Sequence, residues 1–233
     1  VNYVDHVLHY AKLMLGRDAA SVLEVGCAGG WFTMEFLRRG IDVQALEGSR
    51  SGNERALRRG VPPERLMRHD IRKRLDLGRK FDIVVCTEVA EHVEPPFSAM
   101  LINNITAHGD VCWFSFTAPA EHEAHYHHCN EQPEKFWRNL FDFAGFDMIR
   151  LPKEVVDAVQ QRGGYIFYKK GMALPPTMAA MAAGGEAAPL PVAALGHKTD
   201  RSRRAAPGWK SVAKRLLPPI VVDAAKSIFG PGK

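Results

Sequence analysis

A glycine-rich loop at residues 26–30 is the first feature of this 233-residue chain that could bind a ligand. Its small residues let the backbone come close to a ligand, and Glu47, about 20 residues beyond the loop, could accept hydrogen bonds from both hydroxyls of a ribose. In the dinucleotide-binding fingerprint, a third and tightly packed glycine falls where Trp31 stands. The loop therefore favours an adenosyl ligand over a dinucleotide.

Acid–base side chains follow the most apolar segment of the chain, residues 81–87, in the stretch Thr87–Val93 (TEVAEHV). The end of a central parallel strand is where α/β proteins bind their ligands. His92 is the candidate general base because an imidazole titrates close to neutral pH, and Glu91 beside it is a second catalytic candidate. The alternative for His92 is a histidine that caps the strand or orients a loop.

A second polar cluster, residues 121–130 (EHEAHYHHCN), places four histidines, two glutamates and a cysteine within nine residues. Such a density fits acceptor binding or acid–base catalysis, and it also fits a metal ion or a solvated loop. No H-x-x-x-H pair lies on a predicted helix, so we assign no metal ligands. His125 is a third catalytic candidate. The acceptor-binding candidates are His122, His127, His128 and Asn130.

Two motifs resemble those of the class I S-adenosylmethionine (SAM) methyltransferases that act on small molecules: E-x-G-x-x-x-G at 24–30 and E-V-x-E-H-V at 88–93. That family usually has a glycine where Ala28 stands, and an alanine there is strained if the position requires a positive φ. DNA amino-methyltransferases carry N/D-P-P-Y/F after the same strand, and this chain has no such motif there. The resemblance implies that SAM is the cofactor.

The resemblance also implies roles for individual residues. Glu24 is expected near the methionine amino end and Glu47 at the ribose. Asp70 and Ile71 are expected at the adenine, with a turn cap as the alternative role of the carboxylate. The full set of expected cofactor-binding residues is Glu24, Gly26, Cys27, Ala28, Gly30, Glu47, Gly48, Ser49, Asp70, Ile71, Thr87, Glu88 and Val89.

The elements that must position these residues alternate along residues 1–170. Strand patterns lie at 21–25, 41–47, 65–69, 81–87, 111–117, 146–151 and 164–169, and helical patterns lie between them. This order predicts an α/β fold, a three-layer, doubly wound sheet of seven mostly parallel strands. The helical pattern at 2–15 predicts a helix that covers the sheet edge. The resemblance implies that the last strand is antiparallel, and it offers a cofactor cover as the alternative role of this helix, with Tyr3 and Tyr10 as candidate contacts.

Charge is unevenly divided along the chain. The net charge is +5, but residues 171–233 carry nine Lys or Arg and three acidic residues, which leaves 1–170 at −1. A uniformly basic nucleic-acid-binding domain is therefore excluded, and no nucleic-acid partner is expected. The four cysteines form no C-x-x-C pair, which favours a reducing, cytoplasmic location. Because the chain begins at Val1 without a Met, we expect the natural N-terminus to lie upstream and leave a targeting signal open.

The last third of the chain has a different composition. Residues 171–208 are rich in Ala and Pro and then basic, which predicts a disordered linker. Residues 209–233 predict basic amphipathic helices, of which 209–229 could lie at the inner face of a membrane or pack on the protein itself. The LLPPIVV stretch resembles terminal segments of methyltransferases from cell-surface glycan clusters.

Together these patterns predict SAM-dependent O-methylation of a small polar acceptor, such as a sugar or a lipid-linked glycan intermediate. One alternative is an NAD(P)-dependent oxidoreductase or epimerase, which would need the third glycine and a Tyr-x-x-x-Lys pair. The other alternative is a non-catalytic SAM-binding protein associated with a membrane.

Overall fold

The computed structural model describes residues 3–119, 127–159 and 164–184. Its strands are β1 (Ser21–Val25), β2 (Asp42–Glu47), β3 (Leu66–Arg68), β4 (Ile83–Cys86), β5 (Val111–Phe114), β6 (Phe146–Arg150) and β7 (Tyr165–Lys169). Its helices are α1 (Tyr3–Leu15), α2 (Trp31–Arg38), α3 (Arg50–Arg59), α4 (Ser98–Ala107), α5 (Glu134–Phe143), α6 (Lys153–Ala158) and α7 (Pro176–Ala182). Single turns of 3-10 helix occur at Pro63–Arg65, Ala90–His92 and Pro95–Phe97.

All seven strands form one sheet in the order β3-β2-β1-β4-β5-β7-β6. The ladders are parallel except for those of β7, which runs antiparallel to both β5 and β6. The predicted fold class and the antiparallel last strand are therefore confirmed. The chain order reverses between β1 and β4, and in such sheets the crevice at the carboxyl ends of these two strands is the usual ligand site.

Two apolar clusters cover the two faces of the sheet. Alternate residues of one strand belong to different clusters: Val85 of β4 packs with α1 and α7, whereas Val84 packs on the other face with α4 and α5. Every residue of β4 and β5 is buried, as the continuous apolar runs of central strands require. The sheet thus lies between two layers of helices.

Local sequence signals set several helix ends. Ser49 caps α3 by accepting a hydrogen bond from the Gly52 N–H at 3.0 Å, and Gly60 ends the helix in the left-handed conformation. Serine at the N-cap position and glycine after the last residue are residue types that commonly begin and end helices. Within residues 3–119, 127–159 and 164–184, no helix combines the length and the apolar composition that crossing a bilayer requires.

The predicted linker at 171–208 is wrong for its first part. Residues 176–182 form α7, in which Met178 and Met181 are buried in the cluster that also contains α1. Proline at the first position suits a helix N-terminus, and two methionines three residues apart give the short helix an apolar face. A composition average over 171–208 hides this face. Residues 185–233, including the helices predicted at 209–233, lie outside the described residues.

Candidate active site

The loops that follow β1, β2, β3 and β4 lie side by side at one edge of the sheet. Val25 of β1 pairs with Leu46 of β2 on one side and with Cys86 of β4 on the other. The N–H groups of Gly26 and Cys27 both donate to the Leu46 carbonyl at 2.9 Å, which turns the glycine-rich loop across the end of β2. The sheet therefore brings together the expected cofactor residues of four separate segments.

The glycine-rich loop needs its first and last glycines. Gly26 has φ 78° and Gly30 has φ 72°. A Cβ on Gly26 would lie 2.3 Å from Val89 Cγ2, and a Cβ on Gly30 would lie 2.6 Å from Val61 Cγ2. Gly30 therefore allows the close packing of α2, while the neighbouring Trp31 is 66% exposed and carries the Arg59 guanidinium 3.5 Å above its ring.

Ala28 adopts the positive-φ conformation in which an alanine is strained. Its φ is 48°, in the left-handed region where a side chain costs energy. The Ala28 N–H donates to Glu47 Oε2 at 2.8 Å, and this hydrogen bond ties the loop to the end of β2. Ala28, which replaces the usual glycine, therefore has a strained backbone that is held by a hydrogen bond to Glu47.

Glu47 is buried and faces the glycine-rich loop. Its Oε1 accepts from the Ser49 N–H at 2.7 Å while its Oε2 accepts from Ala28, so the carboxylate is fixed at the loop. A carboxylate has about four acceptor sites, and both oxygens can still accept from ribose hydroxyls. Gly52 provides the space, because a Cβ there would lie 2.7 Å from the Glu47 Cδ atom. Gly48 and Ser49 continue the chain from this carboxylate into α3.

Glu24 lies in β1 beneath the loop and is buried. Burial raises the pKa of its carboxyl to about 7, a hydrogen bond from Thr33 opposes this rise, and the nearby Glu47 charge adds to it. The Thr33 hydroxyl donates to Glu24 Oε2 at 2.5 Å. Burial also raises the pKa of the Cys27 thiol, which leaves a neutral thiol in the loop. A cationic group near Glu24 would be stabilised here.

Asp70 follows β3 and already has a strong partner. Its two carboxylate oxygens accept from the Arg72 guanidinium at 2.9 and 3.0 Å, and these bonds hold the pKa of the carboxyl at about 2. Asp70 Oδ1 also accepts from the Arg72 N–H at 3.1 Å, which is the turn cap left open by the sequence. Ile71 is half-buried against the core. The adenine role of both residues stays a prediction.

The end of β4 contacts both the glycine-rich loop and α1. The Tyr3 hydroxyl is hydrogen bonded to the Thr87 hydroxyl, and its ring stacks on Phe32 with centroids 4.2 Å apart. Tyr10 instead packs in the core against Trp113. Of the two tyrosines expected in a cofactor cover, α1 therefore brings only Tyr3 to this edge.

Glu88 also lies at the end of β4, but it turns toward β5. Its φ is 53°, its N–H donates to Ser115 Oγ at 3.1 Å, and Ser115 Oγ donates back to Glu88 Oε1 at 2.9 Å. The carboxylate therefore points away from the glycine-rich loop and toward Glu91. Val89, in contrast, touches Gly26 directly.

Glu91, His92 and His128, the strand-end cluster, lie beside this edge with ligand atoms all within 4.8 Å of one another. Glu91 is completely buried, His128 is half-buried and His92 is exposed. The two imidazole rings meet edge to face with centroids 4.8 Å apart. Burial and then the Glu88 charge raise the pKa of Glu91 to about 8. Although the edge of the His92 ring meets solvent, partial desolvation by the surrounding protein lowers the pKa of its imidazole.

Backbone hydrogen bonds connect the two segments of the strand-end cluster. The N–H groups of Cys129 and Asn130 donate to the Glu91 carbonyl at 2.9 and 3.1 Å. Asn130 is buried, and its amide donates to Ser98 Oγ at 2.9 Å. This residue was a candidate for acceptor binding, and in the structure it anchors the segment that carries His128.

Residues 3–110 match the family model described as a methyltransferase domain, a segment of slightly less than half of the chain. Over this segment the chain is similar to that family. A ubiquinone biosynthesis O-methyltransferase from Rickettsia conorii (strain ATCC VR-613 / Malish 7) is 32% identical over 106 residues, which are 43% of this chain and 36% of that protein. The matched part thus spans about a third of that relative's length.

Solved methyltransferases share the fold of this chain over about 72% of its length. A sugar N-methyltransferase from Streptoalloteichus sp. ATCC 53650 superposes with a TM-score of 0.58 at 15% identity, covering 72% of this chain and 87% of that one. A SAM-bound amino pentose methyltransferase from Micromonospora echinaspora gives a TM-score of 0.57 at 17% identity, covering 72% and 90%. The predicted class I SAM-dependent methyltransferase and its SAM cofactor are confirmed. The alternative of a dinucleotide-dependent enzyme is set aside.

The fold places most of the predicted site residues at one edge of the sheet. The residues gathered there are Glu24, Gly26, Cys27, Ala28, Gly30, Glu47, Gly48, Ser49, Thr87 and Val89 for the cofactor, and Glu91, His92 and His128 beside them. The exposed His127 contributes its backbone carbonyl to this group. His122 and His125 lie outside the described residues, so their roles stay predictions. Thr117, which bonds Glu91, had no sequence signal.

Proposed function

We propose that this protein transfers the methyl group of SAM to a hydroxyl oxygen of a small polar acceptor, such as a sugar or a lipid-linked glycan intermediate. The observation that supports it is the position of the strand-end cluster beside the glycine-rich loop, at the switch point between β1 and β4. The loop and Glu47 are suited to an adenosyl group. The cluster is suited to the acceptor.

The proposed cofactor pose uses contacts available on this chain. Glu47 accepts hydrogen bonds from the ribose hydroxyls, and the small residues of the loop allow the backbone to approach the sulfonium nucleoside. The ammonium of the methionine end lies near the buried Glu24, where its charge favours the ionised carboxylate. This pose directs the methyl group toward the end of β4.

A hydroxyl acceptor has to lose a proton while the methyl group transfers in line. Proximity and alignment supply much of the rate, and a positioned base adds typically about 10²–10⁴-fold. His92 donates its Nδ1–H to the His127 carbonyl at 3.0 Å, so the basic lone pair of the ring is on Nε2. The lowered pKa keeps this ring neutral at neutral pH, so Nε2 is able to accept a proton or another Lewis acid.

Methyl transfer to candidate acceptors tests the proposal. The full chain is incubated with methyl-labelled SAM and either sugar nucleotides or lipid extracts, and the labelled product is identified. His92→Ala should lower the rate by about 10²-fold or more while SAM affinity by calorimetry stays unchanged. His9→Ala, on α1 and far along the helix from Tyr3, is the matched control and should keep full activity.

Two results would overturn the proposal. Tight binding of NAD without binding of SAM would indicate an NAD(P)-dependent oxidoreductase or epimerase instead. SAM binding without methyl transfer to any acceptor class would favour the non-catalytic SAM-binding alternative. A peripheral position at the cytoplasmic face of a membrane belongs to the same proposal and rests on the amphipathic sequence of residues 209–229.

A further inference from the structure

We propose that Glu91, His92 and His128 bind a divalent transition-metal ion. These three side chains come from two segments of the chain, and their ligand atoms lie within 4.8 Å of one another. One carboxylate and two imidazoles form a common donor set of three protein ligands with positions left for water or substrate.

The carboxylate of Glu91 supplies the first observation. The side chain is completely buried, and Oε1 accepts from the Thr117 hydroxyl at 3.2 Å. Oε2 is also buried and has no hydrogen-bond partner within the described ranges. A buried carboxyl oxygen without a hydrogen-bond partner is costly, and a cation that replaces the carboxyl proton removes that cost.

The hydrogen bonds of the two histidines supply the second observation. Nδ1–H of His92 donates to the His127 carbonyl at 3.0 Å, and Nδ1–H of His128 donates to Glu131 Oε1 at 2.6 Å. Metal-binding histidines almost always donate the other ring N–H to a carbonyl or a carboxylate, which fixes the tautomer. In both rings this arrangement puts the metal-binding lone pair on Nε2.

Hydrogen bonds hold together the two chain segments that carry the three ligands. Cys129 and Asn130 both donate to the Glu91 carbonyl, and the Asn130 side chain is hydrogen bonded to Ser98. At Zn–N distances of about 2.0–2.1 Å, two ligand atoms of a tetrahedral ion lie about 3.4 Å apart. The widest separation, up to 4.8 Å, therefore has to shorten by as much as about 1.4 Å, and the exposed His92 ring has room for this movement because solvent borders it.

The donor types favour some ions over others. Imidazole nitrogen suits Zn²⁺, Co²⁺, Ni²⁺ and Fe²⁺, whereas Mg²⁺ and Ca²⁺ prefer sites made of oxygen atoms. We therefore expect Zn²⁺ and Co²⁺ to bind more tightly than Mg²⁺. The nearby Glu88 carboxylate adds negative charge next to Glu91 and strengthens the attraction for any cation.

The role of the ion in catalysis rests on the proposed function, while its binding does not. An ion with an open position can bind the acceptor hydroxyl and lower the pKa of that hydroxyl, so that it loses its proton near neutral pH. With an ion bound, His92 would serve as a ligand in place of the general-base role proposed above, and water would take the proton of the acceptor hydroxyl. The resulting alkoxide attacks the methyl group, and S-adenosylhomocysteine leaves.

Metal binding can be measured without any acceptor. The full chain, prepared without a histidine tag and stripped with EDTA, is titrated with Zn²⁺ by calorimetry and with Co²⁺ by visible absorption. We expect one ion per chain, and ligand-field bands of bound Co²⁺. Glu91→Gln and His128→Ala should each weaken binding at least about 100-fold, because second-shell changes alone cost about 10–100-fold.

His127→Gln is the matched control, since this neighbouring histidine is exposed and its ring lies outside the strand-end cluster. It should bind Zn²⁺ as the wild type does, and unchanged SAM affinity shows that each variant is folded. Zn²⁺ binding that is absent, or that survives Glu91→Gln and His128→Ala unchanged, would overturn the site. If Zn²⁺ binds but the stripped protein methylates acceptors at the full rate, the site stands and its catalytic role is wrong.

Discussion

Two buried carboxyl groups dominate the electrostatics of the site at the scale of single residues. Glu24 and Glu91 have pKa values raised to about 7 and about 8, in both cases mainly because burial penalises the charged form. A carboxyl group whose pKa is raised on folding stabilises the folded state most below its unfolded pKa. That contribution is lost as the pH rises through the folded pKa.

Glu24→Gln should therefore make the SAM-free protein more stable at pH 8 and reduce the pH dependence of its stability. A shift from 4.5 to about 7 corresponds to about 3 kcal/mol of unfolding free energy, lost between pH 4.5 and pH 8. The variant avoids this loss, and Glu91 accounts for the slope that remains. Urea unfolding at pH 5, 6, 7 and 8 measures the difference.

Glu64→Gln on an exposed 3-10 turn is the control and should leave the pH profile as in the wild type. Glu24→Gln should also weaken SAM binding, since a neutral amide does not attract the ammonium of the methionine end. A wild-type stability that stays constant from pH 5 to pH 8 would contradict the raised pKa of Glu24.

The left-handed residues of the glycine-rich loop make a second prediction at this scale. Ala28→Gly removes about 1–2 kcal/mol of backbone strain and costs about 0.4–1 kcal/mol through the freer unfolded chain. The expected net gain is about 0.5 kcal/mol of unfolding free energy. Gly30→Ala adds a Cβ 2.6 Å from Val61 and should lose about 2–4 kcal/mol through strain and overpacking. Urea unfolding of both variants decides, and a Gly30→Ala protein as stable as the wild type would argue against the tight packing of α2.

At the scale of elements, most of the fold could be predicted because its signals are local. Ser49 and Gly60 mark the ends of α3 by themselves, and the apolar run at 81–87 is sufficient to place a central strand. The strand-end cluster could not be predicted in the same way. Its assembly depends on backbone bonds from Cys129 and Asn130 to the Glu91 carbonyl, across nearly forty residues of sequence.

Helix α7 was missed for a different reason, and it allows a direct test. Met178 is completely buried against the core, so Met178→Ala should lower the unfolding free energy by about 2–5 kcal/mol. Thr177→Ala, on the exposed side of the same helix, should change it by less than about 0.5 kcal/mol. Thermal unfolding of both variants measures the difference. Equal stability would mean that α7 does not pack on the core in solution, as a linker would behave.

At the scale of the whole molecule, the family match ends before the segments that complete the strand-end cluster. The matched segment, 3–110, ends just before β5 and contains the glycine-rich loop, Glu47 and the end of β4. His128 and Thr117, which complete the strand-end cluster, lie beyond it. The cofactor therefore follows from residues within the matched segment, while the proposed acceptor site also uses residues beyond it.

The charge distribution makes the last prediction at this scale. Residues 185–233 hold all nine Lys and Arg and all three acidic residues of the segment 171–233, so a chain ending at residue 184 changes from a net charge of +5 to −1. The described fold, including α7, is retained in that truncated chain. It should bind SAM with unchanged affinity and unfold at the same temperature. A chain ending at residue 170 should be less stable, because it lacks α7.

The chain ending at residue 184 should also lose its binding to vesicles that contain anionic lipid. Each Lys or Arg near such a surface contributes about 1 kcal/mol, and the attraction weakens with salt because the Debye length shortens. Co-sedimentation of the full chain should therefore fall between low and physiological salt and be weak on neutral vesicles. In the full chain, Trp209→Ser separates the two contributions: it removes an apolar anchor and leaves the charge unchanged, so it should weaken binding without altering the salt dependence. Equal vesicle binding by the full chain and by the chain ending at 184 would show that residues 185–233 do not direct the protein to membranes.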